Sequence, residues 1–141
     1  MMVRWGIYIG TNSGLALGLY MWIVELTSEK QVYTLLMNVD FIPIIGSIEW
    51  PVFIEWMFHM IISWGIGIIF CYIFMKKVTA TSKRQWKVAI VLAGFAALTY
   101  FPLTLLSVQE TPRIADIVAI SYWLIGHMLY AIVLKLSFYR T

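Results

Sequence analysis

The chain is poor in charge. Of its 141 residues only 12% are Asp, Glu, Lys or Arg, whereas 62% are hydrophobic. A soluble domain carries roughly 25% charged residues. The chain also has a single cysteine, Cys71, two histidines and four prolines. One cysteine makes neither an intramolecular disulfide nor a cysteine-built metal site, so cysteine usage assigns no redox compartment. No phosphate loop, dinucleotide fingerprint or zinc-protease motif is present. The net charge of +3 reads, from the placement of the basic residues set out below, as a membrane-topology signal rather than a nucleic-acid patch, so no nucleic-acid partner is expected.

What the chain has in abundance is apolar length. A spanning helix needs ~20 mostly apolar residues, and the segments at about 5–25, 52–75, 87–106 and 115–137 qualify. Each must be helical, because hydrocarbon offers an exposed backbone no other hydrogen-bond partner. The reading is an all-α integral membrane protein, one membrane domain over 1–141, built as a four-helix transmembrane bundle. Arg4 gives the start a short basic flank, but the apolar run that follows is too long for a signal peptide, so it reads as a retained helix. Residues 32–50, "VYTLLMNVDFIPIIGSIEW", are apolar but interrupted by Asp40, Pro43, Gly46 and Glu49. They predict a short interfacial or re-entrant element in the first outer loop, or an ordinary ordered loop. The aromatics Trp5, Trp22, Trp50, Trp56, Trp86, Tyr100 and Tyr139 fall near span ends, where interface anchors belong.

Charge placement sets a direction. With the N-terminus inside, Arg4, Lys76, Lys77, Lys83, Arg84, Lys87, Lys135 and Arg140 are inside, and only Lys30 and Arg113 are outside. All the acids (Glu25, Glu29, Asp40, Glu49, Glu55, Glu110 and Asp116) fall at outer ends or in outer loops. This is a positive-inside pattern. Both termini are expected in the cytoplasm, with the basic residues near lipid headgroups.

In "WGIYIGTNSGLALGLYMW" the glycines recur every fourth residue, at Gly6, Gly10, Gly14 and Gly18. Residues four apart share a helix face, and small residues let helices in lipid approach closely. This stripe is a glycine-zipper-like seam. Its partner is a helix of the same chain, carrying Gly65 and Gly67 or Ala93, Gly94, Ala96 and Ala97, or else a second copy in a homo-oligomer formed through the first helix. Asn12 beside the stripe should hydrogen-bond to a neighbouring helix.

Ionisable groups inside a span are costly and point to function. Glu55 and His59 in "EWMFH" are four apart on one face, and His127 lies in "LIGHMLY". Counted from the span starts, His59 is about 10 Å deep and His127 about 18 Å. With Glu25 and Asp116 nearby they predict an outward-facing carboxylate–histidine pocket. Three chemistries suit it. One is proton or cation handling. Another is a divalent metal held by Glu55, His59 and His127. The third is a b-type haem between the two histidines, which their difference in depth disfavours. The same residues also serve as separate hydrogen-bonded structural groups. Ser63, four residues after His59, more often bonds its own backbone than acts as a nucleophile.

The pattern resembles the YagU family of bacterial inner-membrane proteins. The resemblance rests on "WIVE" at Trp22 to Glu25, on His59, Ser63 and Cys71 in "HMIISWGIGIIFC", and on Trp86 after the basic loop. It continues with "FPL" at Phe101 to Leu103 and the Gly126–His127 pair. The first outer loop departs from that family, being shorter and without a proline-rich, arginine-containing stretch. The resemblance implies a bacterial plasma-membrane location and a link to acid survival; it assigns no activity. The leading expectation is therefore a non-enzymatic membrane protein handling protons or cations. The alternatives are an intramembrane enzyme acting on a lipid or headgroup, marked by a sideways lipid groove near His59, and a structural or accessory subunit without a pocket.

Overall fold

Apolar length and the need to satisfy the backbone in lipid lead directly to the elements observed. A computed structural model describes residues 1–43, 46, 48, 50–75 and 81–138. The helices are α1 (Met2–Ser28), α2 (Val32–Met37), α3 (Val52–Met75), α4 (Ser82–Ala97), α5 (Tyr100–Leu106) and α6 (Ile117–Leu136). There is no strand among the described residues. Four helical stretches, Met2–Ser28, Val52–Phe74, Ser82–Leu106 and Ile117–Leu136, are long and apolar enough to cross a membrane. Expected residues Glu49, Lys76, Lys77, Tyr139 and Arg140 lie outside the described residues.

The boundaries differ from hydropathy for physical reasons. The third span begins at Ser82, not 87, because the helix continues through the polar turn holding Lys83, Arg84 and Lys87. Hydropathy marks hydrocarbon rather than helix. Thr81 caps this end, its Oγ1 accepting from the Arg84 N–H at 3.4 Å. The same span breaks at Leu98–Thr99 between α4 and α5. Pro102, one turn on, has no N–H for the carbonyl four residues earlier. The Asp116 carboxylate caps α6 by accepting from the Val118 and Ala119 N–H groups, each at 3.1 Å. This is the role short acids play at helix starts. Helix α1 ends with Glu29 in the left-handed region (φ 57°), its N–H bonding the Glu25 carbonyl.

Helix α1 is central. It packs on α3 along one side and on α6 along another, and α6 packs in turn on α4. The glycine stripe explains the first seam. A Cβ on Gly10 would sit 2.6 Å from the Ser63 carbonyl, and one on Gly6 would sit 2.6 Å from the Ile68 Cα. Opposite them, Gly67 of α3 leaves room for the Gly6 carbonyl and the Gly10 backbone. Such close approach gains dispersion contacts, which hold helices together where lipid removes the hydrophobic drive. Helix α3 occupies the glycine face of α1. Gly65 and Gly94 meet nothing within 4 Å. The alanines Ala89, Ala93 and Ala97 of α4 are buried, and the Trp123 indole N–H of α6 donates to the Ala97 carbonyl at 2.9 Å. The Asn12 amide reaches Ser137, just past α6, at 3.4 Å. Tyr100 is not an interface anchor. It is 1% exposed, stacks edge-on against Trp123, and donates to the Arg113 carbonyl.

The loop element over 32–50 begins with α2, whose Val32, Leu35 and Met37 are buried. It packs against α1 and α3 at the end of the bundle that carries Glu25, Asp40, Glu55 and Asp116. That acidic end and the basic end with Arg4, Lys83, Arg84 and Lys135 are opposite ends of the bundle.

Candidate functional site

Helices α3 and α4 touch little. Between α3 and the α4–α5 span is a cavity of about 480 Å³, within the usual range for small-molecule sites. Its walls are mainly apolar, with Leu17, Ile66, Leu92, Phe95 and Leu103 among them. Ile62, Phe95 and Leu106 also line it, and they are 66%, 68% and 57% exposed. The cavity is therefore unsealed along the gap between the two spans. Leu36 of α2 and Phe41 close it toward the acidic end.

The floor is polar. His59 and Ser63, four apart on α3, share a face, as do Trp123, His127 and Tyr130 on α6, and all five line the cavity. His59 is 8% and His127 4% exposed. The His59 Nε2–H donates to the Gly14 carbonyl at 3.0 Å, a carbonyl made reachable by the narrow glycine seam. The His127 Nδ1–H donates to the Trp123 carbonyl at 2.8 Å. A carbonyl only accepts, so these contacts assign the protonated nitrogen of each ring. Ser63 Oγ lies 2.7 Å from the Gly10 carbonyl and 3.0 Å from the Tyr130 hydroxyl. His59 and Ser63 thus bond to different partners and form no serine–histidine pair.

The five expected pocket residues do not converge. His59 and His127 line one cavity. Glu55 shares a helix face with His59 but lies one turn nearer the acidic end. There it lines a second cavity, also about 480 Å³, with Asn38, Asp40, Trp50 and Gln109. Glu25 binds α2 instead: its carboxylate accepts from the Thr34 N–H at 2.8 Å and from the Thr34 hydroxyl at 2.7 Å. Asp116 caps α6 and pairs with Lys30 at 2.6 Å. The Lys30 ammonium and the two helix N–H groups hold its carboxyl below the usual carboxylate range. Among the described residues, no three His, Cys, Asp or Glu side chains are grouped to hold a metal ion. The trio Glu55, His59 and His127 is divided between two cavities because a one-turn step along α3 crosses from the bundle interior to its acidic rim.

Sequence reasoning passed over Tyr130 and Asp40. Tyr130 was detectable by its three-residue step from His127. Asp40 was not. Its Oδ2 accepts from the Val108 and Gln109 N–H groups at 2.9 and 2.7 Å, contacts between loops far apart in the chain. Its Oδ1 is buried and has no hydrogen-bond partner among the described residues.

Fold and composition define a small multi-pass helical membrane protein. No family model matches the chain, and no curated protein or solved structure matches it. The resemblance to the YagU family therefore stands on the quoted motifs alone.

Proposed function

We propose that this membrane protein holds the chain of a lipid that enters sideways between α3 and the α4–α5 span, and that it does so without transforming it. The observation that supports the reading is the unsealed apolar cavity over a polar floor. A lipid-facing gap suits an acyl or isoprenoid chain, whereas a proton or ion path would need polar walls. The committed hydrogen bonds of His59 and Ser63 speak against hydrolysis of the guest. The distribution of basic residues supports cytoplasmic termini. The cavity's covered end then lies toward the outer leaflet. The resemblance stated above supports a bacterial plasma membrane and is the sole basis for a link to acid survival.

The test is photolabelling. The protein is placed in phospholipid vesicles containing a trace of diazirine-bearing hexadecanol and irradiated, and the labelled peptides are mapped. Label should concentrate on 59–66 and 92–106, and Ala96→Trp, which fills the cavity, should remove that excess. Even labelling of all lipid-facing helices would defeat the proposal.

A second reading rests on the other cavity. Asp40 and Glu55 line it together, and an Asp40 Oδ1 without a partner among the described residues favours a proton or cation there. In proteoliposomes with an internal pH dye, this reading expects a proton leak that Glu55→Gln abolishes. Absence of any leak in the parent protein would remove it.

A further inference from the structure

The ligand's chemistry follows from counting donors and acceptors on the cavity wall. The polar side chains that line it are His59, Ser63, Thr99, Trp123, His127 and Tyr130. Each brings one N–H or O–H when the imidazoles are neutral. His59 gives its proton to Gly14 O, His127 to Trp123 O, Trp123 to Ala97 O, and Thr99 to Ala96 O at 2.6 Å. Ser63 and Tyr130 form a closed pair. Either Ser63 donates to Gly10 O while Tyr130 donates to Ser63 Oγ, or Ser63 donates to Tyr130 while Tyr130 turns to Ser63 O at 3.4 Å. In both arrangements both protons stay on protein acceptors.

Every donor is thus in use. What remains is acceptor capacity: the second ring nitrogens, Nδ1 of His59 and Nε2 of His127, have no hydrogen-bond partner among the described residues. No Lys, Arg, Asp or Glu lines the cavity. A charged headgroup would have no counter-charge there, and its desolvation would go uncompensated. An ester or a quinone brings only acceptors to a wall that already has acceptors and lacks donors. We propose that the cavity selects an uncharged lipid whose head is a hydroxyl group, a long-chain alcohol in its simplest form, which donates its O–H to a free imidazole nitrogen while its chain lies between α3 and α4–α5. This rests on the lipid-holding reading above and deepens it.

The test is competition against the diazirine-bearing hexadecanol label in the same vesicles. The competitors are hexadecanol, its methyl ether and hexadecane, which share a chain but differ in donor capacity. Hexadecanol should compete about tenfold better than the ether, the discrimination expected of one hydrogen bond in a dry site. In His127→Phe, or in His59→Phe if the first variant fails to fold, the preference should fall toward unity while chain labelling persists. Equal competition by alcohol and ether in the parent protein would overturn the hydroxyl assignment and leave chain binding intact. Absence of any excess label at 59–66 and 92–106 would overturn both. A vesicle series with diacylglycerol as competitor separates a glycerol hydroxyl from a simple alcohol, and either one competing better than its O-methyl form supports the assignment.

Discussion

Gly10 and Gly65 are chemically identical and differ only in what they face. A side chain on Gly10 would strike the Ser63 backbone, while one on Gly65 meets open space. Gly10→Leu should therefore overpack the α1–α3 seam by about 1–3 kcal/mol or more. Gly65→Ala should be neutral or stabilising by up to about 1 kcal/mol, since alanine is the better helix former. Thermal unfolding in detergent measures both, and equal melting shifts would show that the seam is misplaced. Asp116 supports a pH prediction. Its folded value is depressed from the ordinary 3.8, so its stabilising effect is complete above that value and is lost as pH falls through the lower folded one. Amide exchange at the start of α6 should accelerate below about pH 4 in the parent. In Asp116→Asn this acid-side step should be absent.

At the scale of elements, two pieces shape the cavity without belonging to the long spans. Helix α2 is too short to be stable alone. It is held by its buried Val32, Leu35 and Met37, by the bidentate Glu25–Thr34 contact, and by the Trp56 indole donating to the Tyr33 hydroxyl at 2.8 Å. Burial keeps the Tyr33 phenol above its ordinary value, so it remains protonated there. Glu25→Ala should loosen α2 by about 1 kcal/mol, read as faster amide exchange over 32–37. Because Leu36 covers one end of the cavity, the same variant should speed release of the photolabel. Unchanged exchange would show that apolar packing alone holds α2. The other piece is the break at Leu98–Thr99. It carries Thr99 and Pro102 into the cavity wall, with proline's missing donor on one side of the break and the Trp123 indole bonded to the Ala97 carbonyl on the other.

At the scale of the whole bundle, the described residues form three close seams between the long helices, α3–α1, α1–α6 and α6–α4, and leave α3 and α4 loosely packed. Large apolar side chains such as Ile7, Leu19, Ile61, Ile90 and Leu124 remain exposed on its spans; in water they would be a liability, and in hydrocarbon they are not. The proposed orientation is tested by single cysteines labelled from outside with a membrane-impermeant maleimide. Cys71 is fully buried and should stay silent. A cysteine replacing Glu29 should react and one replacing Lys83 should not. The opposite pattern would put the covered end of the cavity at the cytoplasmic face.

The spans and the glycine face were legible in the linear chain because each is a property of one helix in one solvent. Hydrocarbon forces helix onto any long apolar run, and a four-residue period marks a face whatever packs against it. Gly6 to Gly18 announced a close seam, but the choice of α3 over α4 needed the opposing Gly67 and the register that sets it beside Gly10. Glu55, His59 and His127 looked like one site because two share a face and all three lie in spans. Only packing put Glu55 on the acidic rim with Asp40 and enclosed the imidazoles between α3 and α6. The unsealed α3–α4 gap left no mark in composition or periodicity. A gap is a scarcity of contact between two helices, and which pair is left loosely packed is settled by how all the others have packed.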